Sequence, residues 1–244
     1  MKRDYEYHLL QIADSFFPSG NFALSGGLEA MVNSSRVSSW EETKTFIRNQ
    51  LHFLLRPCDC TILSMSYDAA QRSDLNGLIR IDNLFFSMKL VETVRTSSIR
   101  AGQQFLNTVL SMIAMTRPKT GLSPHESEAL KFAKTFTMKI KNKEARGTLP
   151  VCLAVSTNVI GIPKMSTLRL FLYCYLASTI GSAVRMGVVK HTMAQSIIAS
   201  LRGDCDSISQ RVAGRKIQGV WQASPMVDIL QMNHEKEEVR MFIT

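Results

Sequence analysis

The feature that most constrains the fold is the helical spacing of apolar residues in long segments separated by only seven prolines. One helix is predicted to begin after Ser39, because Ser39 and Glu42 have the spacing of a capping box, in which each side chain bonds a backbone N–H at the helix start. Apolar residues recur at helical spacing as far as Pro57, which we expect to end the helix because proline lacks the N–H that the next turn needs. The apolar residues in question are Phe46, Ile47, Leu51, Leu54 and Leu55.

A second capping box, Ser123 with Glu126, predicts another helix, and Pro124 stands at the first helical position, where its missing N–H costs nothing. The apolar stripe of this helix consists of Phe132, Phe136 and Ile140. Residues 77–116 are apolar at almost continuous helical positions and predict one or two long helices.

Strand signals are weak throughout the sequence. Asn76-Gly77, a pair typical of hairpin turns, lies between helix-like segments and is interpreted as a turn between helices. No internal repeat or long linker occurs, so we predict an all-α, single-domain helical bundle over residues 1–244. Loops are expected near residues 14–26, 117–124, 144–150, 161–166 and 202–210.

Residues 165–201 are predicted to form the central helix pair. Two pairs of small residues, Ala177 with Gly181 and Ser178 with Ser182, lie four positions apart, which allows another helix to approach closely. Tight packing within the monomer and a helix at a dimer interface are both consistent with this spacing, which is a weak pattern outside membranes.

Composition narrows the class of protein. The chain has 244 residues, is 45% hydrophobic and carries a net charge of +9, so it can bury a large core and can attract nucleic acid, an anionic surface or an acidic protein. Five irregularly spaced cysteines indicate neither a disulfide framework nor a paired zinc motif. The first residues have no apolar signal core, and the longest uncharged run, 170–184, is short for a membrane span. We expect a soluble, cytoplasmic, reduced protein.

Motifs of independent catalysts are absent. The sequence contains no GxxxxGK[ST] phosphate loop, GxGxxG, HExxH or GxSxG, so we predict that the protein is not an enzyme and has no catalytic residues. One basic run suits phosphate contact or, more simply, a solvated helix face, because no aromatic or glycine-rich motif accompanies it. Its residues are Lys131, Lys134, Lys139, Lys141, Lys143 and Arg146.

Two short clusters offer metal-binding side chains. Cys58-Asp59-Cys60 provides two thiols and a carboxylate, and His191-Thr192-Met193 provides an imidazole and a thioether. Each is too short to form a site alone, so ordinary buried or surface placement is the simpler interpretation and no metal site is predicted.

The most unusual segment is LLQIADSFFPSGNFALSGGLE at residues 9–29, an apolar helix, a Pro/Gly turn and a second helix start. It resembles the opening of urease accessory proteins of the F type (UreF). Matches follow in the same order along nearly the whole chain: RxxSxxxG at residues 95–102, GSAVRMGVVKHTMAQ at 181–195, and an end running from Ser224-Pro225 to Arg240-Met241-Phe242. The chain departs from the family pattern at Asn21, Leu24, Thr148, Val188, His191 and Met241.

The resemblance implies an all-helical homodimer without catalysis of its own. It implies a urease maturation protein that docks on a D/H-type accessory protein, recruits the G-type GTPase and assists nickel insertion into apo-urease. Nickel is then the delivered ion and GTP the ligand of the partner, so no cofactor is expected on this chain alone. Two rival interpretations remain, a basic helical nucleic-acid-binding protein and an autonomous metal-binding helical protein.

Matched motifs also carry the candidate partner-binding residues. These are Glu29, Arg185, Gln195, His234, Glu235, Arg240 and Phe242. Glu29 and Arg185 are expected to face the GTPase or a path for nickel, the alternative being an ion pair within the monomer. Residues 225–244 are expected to form a partner-docking tail that is either docked on its own domain or ordered on binding, and the second is favoured because the segment is too short to hold a stable helix in water alone.

Overall fold

A computed structural model describes residues 5–18, 24–116, 123–215, 219–234 and 241–242. These residues form α-helices and one π-helical segment and contain no β-strand, which confirms the all-α, single-domain prediction. The helices are α1 Tyr5–Ala13, α2 Leu28–Asn33, α3 Trp40–Gln50, the π-helical segment Leu51–Asp59, α4 Cys60–Gln71, α5 Leu75–Met88, α6 Glu92–Thr116, α7 Pro124–Lys141, α8 Leu149–Ile160, α9 Lys164–Arg185, α10 His191–Val212 and α11 Pro225–His234.

Helix α8 is the centre of the bundle. Every residue from Pro150 to Ile160 is buried, because α4, α6, α7 and α9 pack around it. A helix that is apolar on all sides is stable only in such a position. These four helices therefore form the layer of the bundle that surrounds α8.

The start of α8 is held by a carboxylate from another helix. Asp82 of α5 is fully buried and accepts hydrogen bonds from the backbone N–H groups of Arg146 (2.6 Å), Gly147 (2.8 Å) and Thr148 (3.0 Å). The Thr148 hydroxyl donates a fourth, at 2.6 Å. The carboxylate of Asp82 thus accepts hydrogen bonds from the N–H groups of both the loop and the start of α8, which would otherwise lack partners.

The RxxSxxxG motif lies on α6, and two of its three residues contact this same junction. Ser98 accepts a hydrogen bond from the Leu149 N–H at 3.1 Å, and a side chain at Gly102 would collide with the Gly147 carbonyl. Arg95 donates to the carbonyl oxygen of Lys89 at 2.9 Å. The three motif residues are therefore packing and hydrogen-bonding residues between α6 and its neighbours.

Helices α9 and α10 pack against each other as the sequence predicted. Ser178 and Ser182 are buried within the monomer, whereas Ala177 and Gly181 are half-buried, with open space around the Gly181 Cα. The pair Ser178 and Ser182 therefore packs inside the monomer. That Ala177 and Gly181 lie at a homodimer interface stays a prediction. Helix α9 is long and apolar enough to cross a membrane, but 61% of its apolar stretch is buried in the protein.

Both predicted helix starts are confirmed. The Ser39 hydroxyl accepts the Glu42 N–H at 3.2 Å, and Glu42 reaches back to the Ser38 N–H at 2.8 Å. Ser123 and Glu126 form a reciprocal capping box. Phe132 and Phe136 are buried, as the apolar stripe of α7 requires.

The prediction that Pro57 ends its helix is wrong. The chain continues through Pro57 as the π-helical segment and runs on into α4. In a regular helix the Phe53 carbonyl would bond the N–H that Pro57 lacks. The Ala223 N–H takes its place at 3.0 Å, and the Trp221 N–H donates to the Pro57 carbonyl at 3.3 Å. A distant segment thus supplies N–H donors to two carbonyl oxygens of the π-helical segment, at Phe53 and Pro57.

Two further predictions are wrong. Asn76 and Gly77 lie in the first turn of α5, because the Asp74 carboxylate accepts the Gly77 N–H at 2.8 Å and so caps a helix there. Residues 202–210 are part of α10, not a loop. Their acids bond other helices: Asp204 lies 2.8 Å from His52 Nε2, and Asp206 lies 2.8 Å from Arg169 Nε.

Candidate functional site

A turn that contains two glycines leads into α2 and places Glu29 in the first turn of that helix. Gly26 and Gly27 have φ values of +63° and +84°, a backbone conformation that other residues rarely adopt. The turn is tied to α9, because the Ser178 hydroxyl donates to the Leu24 carbonyl at 2.7 Å. Leu24, a departure from the family tyrosine, contributes its backbone to this contact, so the contact does not depend on the side chain.

Glu29 binds the end of the chain. One carboxylate oxygen accepts the Met241 N–H at 2.7 Å and the other accepts the Phe242 N–H at 3.0 Å. The Arg185 guanidinium lies 4.4 Å from the centre of the Phe242 ring, in cation–π contact. Glu29 and Phe242 are each only 5% exposed. We call Glu29, Arg185 and Phe242 the tail clasp.

Helix α11 packs against α2, the helix that carries Glu29. Its inner side contacts Gly27: a methyl group there would lie 2.5 Å from Val227 Cγ1 and 3.2 Å from the Gln231 side chain. Glycine is therefore required at position 27 both for its backbone angle and for the close approach of α11.

The outer side of α11 is apolar and exposed. Met226, Ile229 and Met232 recur at helical spacing, and Ile229 is 55% exposed. Trp221 and Phe53, whose segments are hydrogen-bonded to each other, are exposed as well. We call Met226, Ile229 and Met232 the outer face of α11.

The segment that leads into α11 is anchored by Gln222. Its amide donates to the Met88 carbonyl at 2.6 Å, and its carbonyl oxygen accepts from Lys89 Nζ at 3.0 Å. Together with the backbone bonds to the π-helical segment, this fixes the segment that leads into α11.

Lys89 forms a buried ion pair beside this anchor. Its Nζ donates to Asp59 Oδ2 at 2.7 Å and lies 4.8 Å from the centre of the Phe85 ring. Burial opposes the charged form of Lys89, but the charge and hydrogen bond of Asp59 outweigh it, and the pKa of Lys89 lies above its ordinary value. Lys89 is therefore a fixed cation that joins α5, the π-helical segment and the tail.

The structure brings three of the sequence-predicted residues together, Glu29, Arg185 and Phe242. Gln195 lies exposed on α10. His234 is the last residue of α11, but its side chain lies outside the described part of the chain, as do Glu235 and Arg240. The described tail residues lie on their own domain, the first of the two arrangements that the sequence allowed; ordering on binding and partner docking stay predictions.

The two short clusters of metal-binding side chains are placed differently. Cys58 and Cys60 are buried, burial raises the pKa of Cys58 to about 12, and Asp59 is engaged by Lys89. His191 is exposed at the start of α10. Within the described ranges, no three histidine, cysteine or acidic side chains converge in a way that suits a metal ion.

Sequence reasoning missed the Lys89–Asp59 pair and the Gln222 anchor. The partners of each contact lie 30 and more than 130 residues apart, so no local pattern links them. One signal was available: Pro57 inside an apolar helical run leaves a carbonyl that some other segment must satisfy.

Comparison with known proteins decides the family. A family model described as UreF matches residues 37–202, more than half of the chain. The chain belongs to the UreF family. A urease accessory protein UreF from Trichodesmium erythraeum is 26% identical over 234 residues, which cover 96% of this chain and 94% of the relative. Another, from Sporosarcina pasteurii, is 27% identical over 220 residues and is covered completely.

UreF membership makes this chain one of the urease accessory proteins, a class of accessory rather than catalytic proteins. A third relative, the urease accessory protein UreF of Bacillus sp. (strain TB-90), is 23% identical over 97% of both chains. The matched UreF range contains Arg185 and Gln195 but not Glu29 or the tail. The tail clasp therefore joins the part of the chain matched by the family model to segments outside it.

Proposed function

We propose that this chain assists nickel insertion into apo-urease by bridging a D/H-type accessory protein and the G-type GTPase. In this proposal it acts without catalysis, carries no cofactor of its own, and works in the cytoplasm as a homodimer. Nickel is the ion delivered, and GTP is bound by the partner. Membership of the UreF family supports the general role, and the geometry of the tail supports a docking surface.

The outer face of α11 is the observation that carries the proposal. An apolar helix face that is exposed to water, like the side chains of Trp221 and Phe53, raises the free energy of the protein. Covering the face with another protein lowers the free energy again. The face is also preorganised, because the Gln222 anchor holds the segment that leads into α11 and α11 itself packs against α2. Preorganisation reduces the ordering entropy that binding would otherwise oppose. We assign this face to the D/H-type partner.

The tail clasp extends the proposal to the GTPase. The Arg185 side chain is exposed while its guanidinium covers the buried Phe242 ring. Arginine is frequent at the centres of interfaces because its planar group makes several directed contacts. We assign the exposed side of Arg185, at the clasp, to GTPase recruitment.

We assign the homodimer interface to the face of α9 that carries exposed Tyr173 and half-buried Ala177 and Gly181. Ala177 and Gly181 continue the line of Tyr173, which is 45% exposed, and the open space at Gly181 admits a second helix. Light scattering at micromolar concentration should give about twice the 27.4 kDa chain mass. A mass that stays at one chain, alone and with the D/H-type partner, would contradict the dimer.

Ile229→Asp tests the docking surface directly. The change places a charge on the outer face of α11, and pull-down with the D/H-type partner should fall at least tenfold, together with urease activation in a reconstituted assay. Met138→Asp is the matched control, since Met138 on α7 is also an exposed apolar residue, at 64% against 55% for Ile229. If both variants bind like the parent protein, or both lose binding to the same extent, the outer face of α11 is not the docking surface.

A further inference from the structure

Two arginines lie over one aromatic ring where α5, α6 and the loop before α8 meet. The central guanidinium carbon of Arg146 lies 4.6 Å from the centre of the Phe86 ring, and that of Arg95 lies 5.6 Å from it. Phe86 and Arg95 are half-buried, whereas Arg146 is exposed. We call Phe86, Arg95 and Arg146 the arginine platform.

Both arginines of the platform are held in place by hydrogen bonds. The Arg146 backbone is fixed on two sides, because its N–H donates to Asp82 at 2.6 Å and its carbonyl oxygen accepts from Gln103 Nε2 at 2.9 Å. Arg95 Nη1 donates to the carbonyl oxygen of Lys89 at 2.9 Å. Because these bonds and the Phe86 ring already restrict the two side chains, binding of a further group costs them little entropy.

The positive charge of the platform is not neutralised within the described part of the chain. Neither guanidinium forms an ion pair there, and that of Arg146 donates no hydrogen bond. Lys141 and Lys143, exposed at and just after the end of α7, form no ion pair with a described residue either. Glu144, the acid of this loop, is already bonded to Lys139 at 2.7 Å. The platform and the two lysines are therefore available to an external anion.

An exposed apolar residue lies next to the platform. Leu90 is 59% exposed, and its carbonyl oxygen accepts a hydrogen bond from Arg95 Nη1 at 3.2 Å. An aliphatic side chain gains free energy from apolar contact, which the phosphate backbone of a nucleic acid does not offer. Surfaces that combine arginine with aromatic and apolar residues are typical of contacts between proteins. The composition of this surface therefore favours a polypeptide over a nucleic acid.

From these observations we propose that the arginine platform, together with Lys141 and Lys143, docks an acidic segment of a partner polypeptide. Carboxylates of the segment accept paired N–H donors from the guanidinium groups, the arrangement in which arginine binds carboxylates most strongly. An apolar side chain of the segment covers Leu90. The net charge of +9 on the chain favours the approach of such a partner. The platform shares no residue with the outer face of α11 or the tail clasp, so this docking surface does not rest on the proposed function.

Fluorescence anisotropy with a labelled peptide of repeated Leu-Asp-Glu units tests this surface in the full chain. The peptide should bind at physiological salt, and a peptide of repeated Leu-Asn-Gln units should bind about tenfold more weakly, because it lacks charge-assisted hydrogen bonds. Arg146→Ala should weaken binding of the acidic peptide about tenfold. Arg211→Ala removes the same charge from an exposed position on α10 and should leave binding nearly unchanged. No binding of the acidic peptide to the parent protein, or equal losses in the two variants, would overturn the proposal.

Two variants that keep every charge separate docking on the platform from general attraction between charges. Arg146→Lys replaces the planar guanidinium and should weaken binding of the acidic peptide about threefold. Phe86→Leu removes the ring beneath both arginines and should give a similar loss, with circular dichroism to verify that the variant is folded. Unchanged affinity in Arg146→Lys or in folded Phe86→Leu would contradict docking on the platform. An oligothymidylate of the same charge that binds more tightly than the peptide, and loses that binding in Arg146→Ala, would assign the surface to nucleic acid instead.

Discussion

Helices α8 and α11 are both largely apolar, but they are held by different means. Helix α8 is buried on every side, and its start is fixed by four hydrogen bonds to Asp82. Helix α11 is buried on one side; Gln222 anchors the segment before it, and the tail clasp binds residues 241–242, which follow it in the chain. The first arrangement serves stability, and the second leaves an apolar face exposed.

This difference shows which region can respond to a partner. Opening α8 would expose an entire apolar helix, so it opens only with global unfolding. Releasing α11 requires the loss of a few polar contacts, a cation–π contact and one buried side of a helix. The tail is therefore the part of the molecule whose position can depend on binding, while the bundle around α8 supplies a rigid base.

Asp82→Ala should produce the largest effect, because it removes the carboxylate that fixes the start of α8. Three backbone N–H groups and the Thr148 hydroxyl lose their acceptor inside the protein. We expect the free energy of unfolding to fall by about 4 kcal/mol in urea titrations. Asp74→Ala on the same helix removes only an exposed N-cap and should cost about 1 kcal/mol. Similar losses for the two variants would contradict the special role of Asp82.

Lys89→Met should have the next largest effect, because it leaves Asp59 buried without its cation. A loss of about 3 kcal/mol in the free energy of unfolding is typical when one partner of a buried pair is removed. The double variant Lys89→Met, Asp59→Leu removes both charges and should recover at least half of that loss. If the two substitutions prove additive instead, the pair does not couple α5 to the π-helical segment as its geometry indicates.

Deleting residues 233–244 should have a smaller effect on stability and a large one on binding. The deletion removes Phe242 from the tail clasp, and burial of one such ring is worth about 2 kcal/mol or less. The melting temperature should therefore fall by only about 5 °C. Binding to the D/H-type partner should be lost, because α11 is no longer held from its far end. Unfolding of the truncated chain at room temperature, or retained binding, would contradict this division.

Asp228→Asn should give the smallest effect. Burial raises the pKa of Asp228 in the folded protein, so the ionised carboxylate lowers the free energy of unfolding. This loss of stability is fully present above the folded pKa. It vanishes below the ordinary value near 3.8, where the carboxyl is protonated in both the folded and the unfolded state. The variant should melt slightly higher than the parent protein at pH 7 and at the same temperature at pH 3. A variant that melts lower at pH 7 would show that the carboxylate is stabilised instead.

Local signals predicted the fold where the structure depends on neighbours in sequence. The capping residues Ser39 and Ser123 act within one turn, so the sequence identified both correctly. Pro57 and residues 202–210 were misjudged because distant groups decide them. The Ala223 N–H satisfies the carbonyl freed by Pro57, and ion pairs with other helices hold the polar turns of α10.

The candidate site was predictable only in part for the same reason. Family resemblance selected Glu29, Arg185 and Phe242 from three separate motifs, and these residues meet in the tail clasp. It selected neither Lys89 nor Gln222, whose importance comes from contacts across the fold. Periodicity shows which residues are buried, but it does not show which distant segments share a hydrogen bond.

The most direct test of the tail clasp is amide hydrogen exchange in Phe242→Ala, followed separately in α8 and α11. The variant removes the ring beneath Arg185 but leaves Glu29 and the rest of the bundle unchanged. We expect exchange in residues 225–234 to accelerate at least tenfold and exchange in residues 149–160 to stay as in the parent protein. Acceleration in both helices, or in neither, would contradict the claim that the tail clasp holds α11 independently of the core.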